Sequence, residues 1–74
     1  MLKSDIGHNA GVVWNLLHKD GRLTIRQIGE KTSYRESKIH LALGWLAREN
    51  KIHFFEEHNT VYIGLAEVFP EIYY

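Results

Sequence analysis

The sequence lacks cysteine, long apolar runs and a secretory leader, and each absence excludes a class of protein. With no cysteine among 74 residues, neither a disulfide framework nor a thiolate metal site can form. No apolar run approaches the roughly 20 residues that a membrane-spanning helix needs. The first residues have neither the apolar region nor the cleavage site of a signal peptide, so we expect a cytoplasmic protein.

The chain also lacks an excess of either charge, which bears on its partner. Nine Lys and Arg residues are balanced by nine Asp and Glu residues. Nucleic-acid-binding domains commonly carry a basic excess, because neutralised phosphates supply much of their affinity. The balance makes nucleic acid a less obvious partner but does not exclude it, since a local basic surface is still possible.

Motifs for catalysis and metal binding are missing as well. The six glycines are scattered and form no phosphate-binding loop, and the carboxylates have no predicted pocket. No histidine belongs to an HExxH pattern. His53 and His58 flank a predicted turn and could approach each other, but two ligands without a third make a weak site. We therefore expect no enzyme, no cofactor and no metal.

The residues that are present form a globular composition, 45% hydrophobic and 12% aromatic. Ser4 or Asn9 is the expected cap of a first helix, and Asp5 is well placed for its positive N-terminal dipole. Apolar residues then recur at spacings of three and four as far as Leu17. The helix is predicted to end at the turn glycine, Gly21.

A very short strand at Leu23 precedes two further helices. Residues 24–27, Thr-Ile-Arg-Gln, fit a capping box and predict a second helix to about Lys31. Residues 33–36, Ser-Tyr-Arg-Glu, fit another box and predict a third helix of about four turns from Ser33. That helix ends before Ile52.

From Ile52 the period of the apolar residues changes to two, which is typical of strands. A polar turn at residues 57–60 joins two such strands into a hairpin. The order helix, short strand, helix, helix, hairpin is that of an α+β winged helix-turn-helix fold, with the hairpin as its wing. We expect one domain over residues 1–74, in which the apolar residues 66–74 dock on their own domain or on a second subunit.

Three stretches also resemble a known family. They are residues 11–14 (Gly-Val-Val-Trp), residues 23–25 (Leu-Thr-Ile) and residues 41–52, in which Leu-Gly-Trp-Leu is the distinctive part. The chain to about Leu65 resembles short, stand-alone winged helix-turn-helix domains of bacteria and archaea that are largely uncharacterised. The resemblance implies the same fold and a DNA-binding-like role. It implies no catalytic residues, cofactor or particular target.

The predicted third helix carries two stripes. Its core stripe is Ile39, Ala42, Leu43 and Leu46, at helical spacing. At about 100° per residue, a second stripe on roughly the opposite side is Tyr34, Lys38, Leu41, Trp45 and Arg48. We expect this second stripe to be the free surface of the domain.

One hypothesis is that this helix is the recognition helix of a transcription-regulator-like protein that binds double-stranded DNA. The predicted DNA-binding residues are Tyr34, Arg35, Ser37, Lys38 and Arg26. Arg and Lys side chains pair with guanine acceptors, and Ser and Tyr reach phosphates. The predicted wing tip opposes this hypothesis, because residues 56–59 are Glu-Glu-His-Asn and would repel phosphates. The cations would then be an ordinary solvated surface.

The alternative hypothesis is a protein-interaction or dimerisation module on a winged-helix scaffold that does not bind DNA. Leu41 and Trp45, one turn apart, form an apolar pair, and Trp is favoured as an interface anchor. The predicted interface residues are Leu41, Trp45, Phe69 and Tyr73. Either the tail or a second subunit is expected to cover Trp45, so a homodimer or a partner protein is the expected assembly.

Overall fold

Three helices and a three-stranded antiparallel sheet form the structure, a computed structural model that describes residues 2–66. The elements in chain order are α1 (Lys3–Asp20), β1 (Leu23–Thr24), α2 (Ile25–Thr32), α3 (Glu36–Arg48), β2 (Ile52–Glu57) and β3 (Thr60–Leu65). The predicted α+β winged helix-turn-helix fold is confirmed, including the two-residue first strand. The predicted docking of the tail falls on residues that lie outside the described part, apart from Ala66.

The wing is the β2–β3 hairpin, and β3 lies between β1 and β2 in the sheet. Ile52 pairs with Leu65 at the base of the hairpin, and Glu57 pairs with Thr60 at its tip. His58 and Asn59 connect the strands with φ angles of 52° and 63°. Positive φ at both central residues is the backbone of a type I′ turn, whose twist matches that of the strands it joins. The predicted hairpin and its turn are confirmed.

The core lies where α3 packs against α1, α2 and the sheet. All four residues of the predicted core stripe are buried in it. The other buried apolar residues are Ala10, Val13 and Leu17 of α1, Leu23 of β1, Ile28 of α2, Ile52 of β2 and Ile63 of β3. Burial of a large aliphatic side chain contributes about 1.5–3 kcal/mol. The stripe therefore fixes how α3 is rotated about its axis.

The predicted cap of α1 is wrong. The helix starts at Lys3, and Leu2 occupies the cap position, where its N–H donates to the Asp5 carboxylate over 3.2 Å. Asp5 satisfies one N-terminal donor in this way, so the helix starts earlier than a cap at Ser4 or Asn9 would allow. Asn9 is instead buried within the helix.

The predicted capping boxes have different outcomes. Thr24 caps α2: its Oγ1 accepts from the Gln27 N–H at 3.1 Å, and Gln27 Oε1 accepts from the Thr24 N–H at 2.9 Å. The second box is wrong, because Ser33 ends α2 and does not open α3. Its N–H already donates to the Gly29 carbonyl at 2.8 Å, and its φ of 64° is left-handed. The third helix consequently starts at Glu36.

The left-handed backbone of Ser33 gives a test of this turn. Replacement Ser33→Gly should raise the free energy of unfolding by up to about 1 kcal/mol, because glycine adopts positive φ without strain. Urea unfolding measures the change. The matched control is Ser37→Gly in the first turn of α3, which should lower stability by about 0.5 kcal/mol, because glycine has the lower helix propensity. A loss of stability in Ser33→Gly would contradict the turn.

Candidate functional site

The solvent-exposed side of α3 is the most prominent helical surface of the described residues. Its exposed members are Ser37, His40, Leu41, Gly44 and Arg48, and we call this set the outer face of α3. At about 100° per residue, Ser37, Leu41, Gly44 and Arg48 lie close to the direction opposite the buried stripe. The outer face is thus the geometric complement of the core.

The predicted free stripe was placed too far round the helix. Tyr34 and Trp45 are half-buried and pack against the core cluster. The Trp45 ring lies against α1, where a Cβ on Gly7 would be 3.6 Å from the indole. The side of α3 next to the exposed face carries Tyr34, Lys38 and Trp45. Neighbouring elements partly cover these side chains. Leu41 and Arg48 are exposed as predicted.

Sequence reasoning missed His40 and Gly44 on the outer face. The signal was available, because counting from the centre of the buried stripe gives the opposite direction directly. Gly44 is exposed, and a Cβ there would meet no atom within 4 Å.

Four of the predicted DNA-binding residues, including Tyr34 just before the helix, lie together at the start of α3. Arg35 is the cap residue and Ser37 lies in the first turn, and both are exposed. The Lys38 ammonium lies 4.1 Å from the centroid of the Tyr34 ring. A cation over an aromatic face is attracted by the negative potential of the ring. Lys38 is therefore positioned by Tyr34, whereas Arg35 extends freely into solvent.

The backbone at the start of α3 adds partial positive charge. The Arg35 side chain makes no capping hydrogen bond to the first turn of α3, in contrast to Thr24 at the start of α2. Unsatisfied amides and the helix dipole together favour an anion at this end. Glu36 offsets part of the effect as an acidic first-turn residue. The N-terminal half of α3 is nevertheless the part of the outer face best suited to an anion.

Arg26, the remaining predicted DNA-binding residue, lies in the first turn of α2. Its Nε is 3.4 Å from Glu30 Oε2, and both side chains are largely exposed. Such pairs contribute little and exchange readily for another anion. Helix α2 approaches α3 closely at Gly29, where a Cβ would be 3.4 Å from the Ile39 Cδ1.

The wing differs in charge from the start of α3. Its tip, residues 56–59, is exposed and acidic as predicted, and the sequence has no Lys or Arg beyond Lys51. The Arg22 guanidinium lies over the rings of Phe55 at 5.3 Å and Tyr62 at 5.6 Å.

His53 and His58, which could have approached each other across the turn, lie apart. Strand β2 extends through Glu57, so His53 pairs with Gly64 within the sheet while His58 lies in the turn. The five residue steps of extended chain from His53 to His58 span about 16 Å. Among residues 2–66, no group of three or more His, Cys, Asp or Glu side chains is arranged to hold a metal ion.

The geometry defines a winged helix-turn-helix domain, and sequence comparison gives its family. The model of the family described as "Winged helix-turn-helix domain (DUF2582)" matches residues 1–65. The chain belongs to this family. It is also 36% identical over 63 residues to an uncharacterized protein of Methanocaldococcus jannaschii, covering 81% of this chain and 89% of the relative. The expected resemblance is confirmed.

Solved structures show the same fold. A protein of Bacteroides thetaiotaomicron, determined by solution NMR, matches with a TM-score of 0.83 and 31% identity, over 100% of this chain and 89% of its own. The Zalpha domain of Carassius auratus PKZ, in complex with Z-DNA, matches with a TM-score of 0.70 and 18% identity. The match covers 81% of this chain and 95% of the Zalpha chain. HlyU from Vibrio cholerae matches with a TM-score of 0.64 and 22% identity, over 78% of this chain and 61% of HlyU.

None of the helices in the described part of the chain is both long and apolar enough to cross a membrane.

The different burial of the site residues predicts different costs of substitution. Replacement Tyr34→Ala should lower the free energy of unfolding by more than about 1 kcal/mol, because it removes a ring packed against the core. Arg35→Ala and Ser37→Ala should change it by less than about 0.5 kcal/mol, since both side chains are exposed. Urea unfolding of the three variants checks this. Equal losses in all three would contradict the assigned burial.

Proposed function

We propose that this protein binds double-stranded DNA through the N-terminal half of α3, with α2 contacting the adjacent phosphates. The observation that supports this most directly is the joint exposure of Arg35 and Ser37 beside Lys38 at the uncapped start of α3. The proposed DNA-binding residues are Tyr34, Arg35, Ser37, Lys38 and Arg26. A role in transcription regulation belongs to the same proposal.

The chemistry of each group suits one part of a duplex. The Arg35 side chain is long and exposed, and its guanidinium can pair with the O6 and N7 atoms of guanine in the major groove. Ser37 and the first-turn amides of α3 donate hydrogen bonds to phosphate oxygens. Tyr34 contributes indirectly, because its ring holds the Lys38 ammonium at 4.1 Å. The Arg26 side chain would leave its ion pair with Glu30 and bind a neighbouring phosphate of the DNA.

The fold neighbours support the proposal at the level of architecture. The Zalpha domain, which shares the fold with a TM-score of 0.70, is seen in complex with Z-DNA. A scaffold of this shape therefore accommodates a duplex. The identity of 18% carries no residue from that domain to this one.

Charge sets the expected strength of binding. Glu56 and Glu57 at the wing tip would face phosphates if the wing lay along the duplex, and the net charge of the chain is zero. Few phosphates would be neutralised, so we expect weak affinity that depends on the start of α3 and falls with salt.

Fluorescence anisotropy with a labelled mixed-sequence duplex at two salt concentrations tests the proposal. Arg35→Ala and Lys38→Ala should each weaken binding by about 1–3 kcal/mol where the side chain contacts a base. Where it contacts a phosphate, the slope of log affinity against log salt concentration should become shallower by about one. Lys3→Ala is the matched control, because it removes the same charge from an exposed position at the start of α1. It should have the smaller effect.

The wing gives an internal check in the same titration. Replacing Glu56 and Glu57 with Gln should tighten binding, because it removes two negative charges near the phosphates. If wild type does not bind at low salt, and neither substitution in α3 nor neutralisation of the wing changes the signal, DNA binding is excluded.

A second candidate function is association with protein, as a homodimer or with a different partner, without DNA binding. It is favoured by the exposure of large apolar side chains, 47% for Leu41 on the outer face, 55% for Phe54 and 43% for Val61 on the wing. Exposed apolar groups of this size commonly mark interfaces. The proposed interface residues are Leu41, Trp45, Phe69 and Tyr73.

Mass in solution distinguishes this candidate from a free monomer. If Leu41 and Trp45 anchor a homodimer, light scattering should give twice the 8.7 kDa chain mass at high concentration. The variants Leu41→Ser and Trp45→Ala should shift the mass toward that of a monomer, since they remove interface anchors. Wild-type protein that remains monomeric at high concentration would exclude the homodimer.

A further inference from the structure

A groove with a volume of about 400 Å³ lies between α1 and the C-terminal half of α3. Its apolar base includes Ala10 and Leu46, both members of the buried core. The indoles of Trp14 and Trp45 line it, and both are half-buried. The remaining lining residues are Gly7, Gly11, Asn15, Glu49 and Lys51. Its size falls within the roughly 300–1,000 Å³ of binding pockets.

We propose that residues 67–74 of the same chain occupy this groove. The described chain ends beside it, because the Ala66 N–H donates to the Lys51 carbonyl at 2.9 Å, and Lys51 lines the groove. The next residue therefore starts at the rim. A second copy of the chain would have to bring its own tail from a separate molecule, at an entropic cost that a tethered segment avoids.

The length of the tail suffices for this path. Eight residues in an extended conformation reach about 26 Å. The groove follows α1 from Gly7 to Asn15, which corresponds to about 12 Å of helix. The tail can therefore follow the whole groove even when Pro70 bends it.

The composition of the tail matches the lining. Residues 67–74 are Glu-Val-Phe-Pro-Glu-Ile-Tyr-Tyr, five of them large and apolar or aromatic. Phe69 and Tyr73 supply rings that stack favourably on indoles, where aromatic pairs gain more than their buried area alone provides. Glu67, the first residue of the tail, follows Ala66 at the Lys51 rim and offers that cation an opposite charge. Glu49 and Lys51 both line the groove, so its charges are balanced and the apolar and aromatic side chains decide the fit.

Glycines on α1 keep the groove open. Gly7 contacts the Trp45 ring, and Gly11 is exposed with space for a Cβ that would meet no atom within 4 Å. A glycine inside a helix costs about 1 kcal/mol relative to alanine. The tail provides a reason for that cost at Gly11, because any side chain there would project toward the tail.

The docked tail would join α1 to α3 on the side of α3 that carries Trp45. This inference does not depend on DNA binding, since it uses none of the residues proposed to contact a duplex. The two proposals therefore succeed or fail separately.

Tryptophan fluorescence of the full-length chain tests the inference, because Trp14 and Trp45 are the two tryptophans of the sequence and both line the groove. Phe69→Ser and Tyr73→Ser should shift the emission to the red and raise acrylamide quenching about twofold, as docked rings leave the indoles. Gly11→Gln should act in the same direction by filling the groove, while its helix remains intact on circular dichroism. Gly44→Gln, an equally exposed helical glycine on the outer face, is the matched control and should leave the fluorescence unchanged.

Disulfide trapping identifies the chain that supplies the tail. Because the native sequence has no cysteine, Gly11→Cys combined with Ile72→Cys creates a single pair and keeps the rings of Phe69 and Tyr73. Mild oxidation should link this pair within a monomer, and the control pair Gly44→Cys with Ile72→Cys should stay reduced. Disulfide-linked dimers from the first pair would assign the groove to a second copy and overturn the proposal. Unchanged fluorescence in all three groove and tail variants would overturn it as well.

Discussion

Burial of one side of α3 is the constraint on which the rest of the structure depends. Ile39, Ala42, Leu43 and Leu46 meet α1, α2 and the sheet, and this contact fixes the rotation of the helix. Close-packed interiors tolerate little rotation, because turning the helix by one residue would expose part of the stripe and bury polar groups. The outer face is consequently determined by packing, and any ligand of α3 must accept the side chains that packing leaves outside.

Those side chains divide α3 into functionally different parts. The start of the helix offers the exposed Arg35 and first-turn amides that the cap residue leaves uncapped, while the middle of the outer face presents Leu41 and Gly44. The C-terminal half turns Trp45 toward α1 and away from the outer face. The acidic wing tip limits how far a polyanion can extend across the surface. A ligand that engages α3 at its start therefore meets a small basic region bordered by apolar and acidic surface.

The sequence predicted the fold well because its evidence is local and repetitive. The core stripe, the Thr24 capping box and the polar hairpin turn each depend on residues close in sequence. The predictions from sequence failed where a contact with a distant residue, or a competing hydrogen bond, determines the local structure. Ser33 has the residue type of a helix cap, but its N–H is committed to Gly29. Trp45 lies near the solvent direction on a helical wheel, and its packing against Gly7 required knowledge of where α1 crosses.

Thr24 belongs to two elements at once, and this couples their fluctuations. Its backbone pairs with Tyr62 of β3, while its hydroxyl and amide complete the cap of α2. A fluctuation that separates β1 from β3 would move the cap and release the first turn of α2. The β1–β3 pairing and the start of α2 should therefore open as one cooperative unit in native-state hydrogen exchange. Through a single threonine, strain imposed on the hairpin by a ligand could reach the helix that precedes the turn.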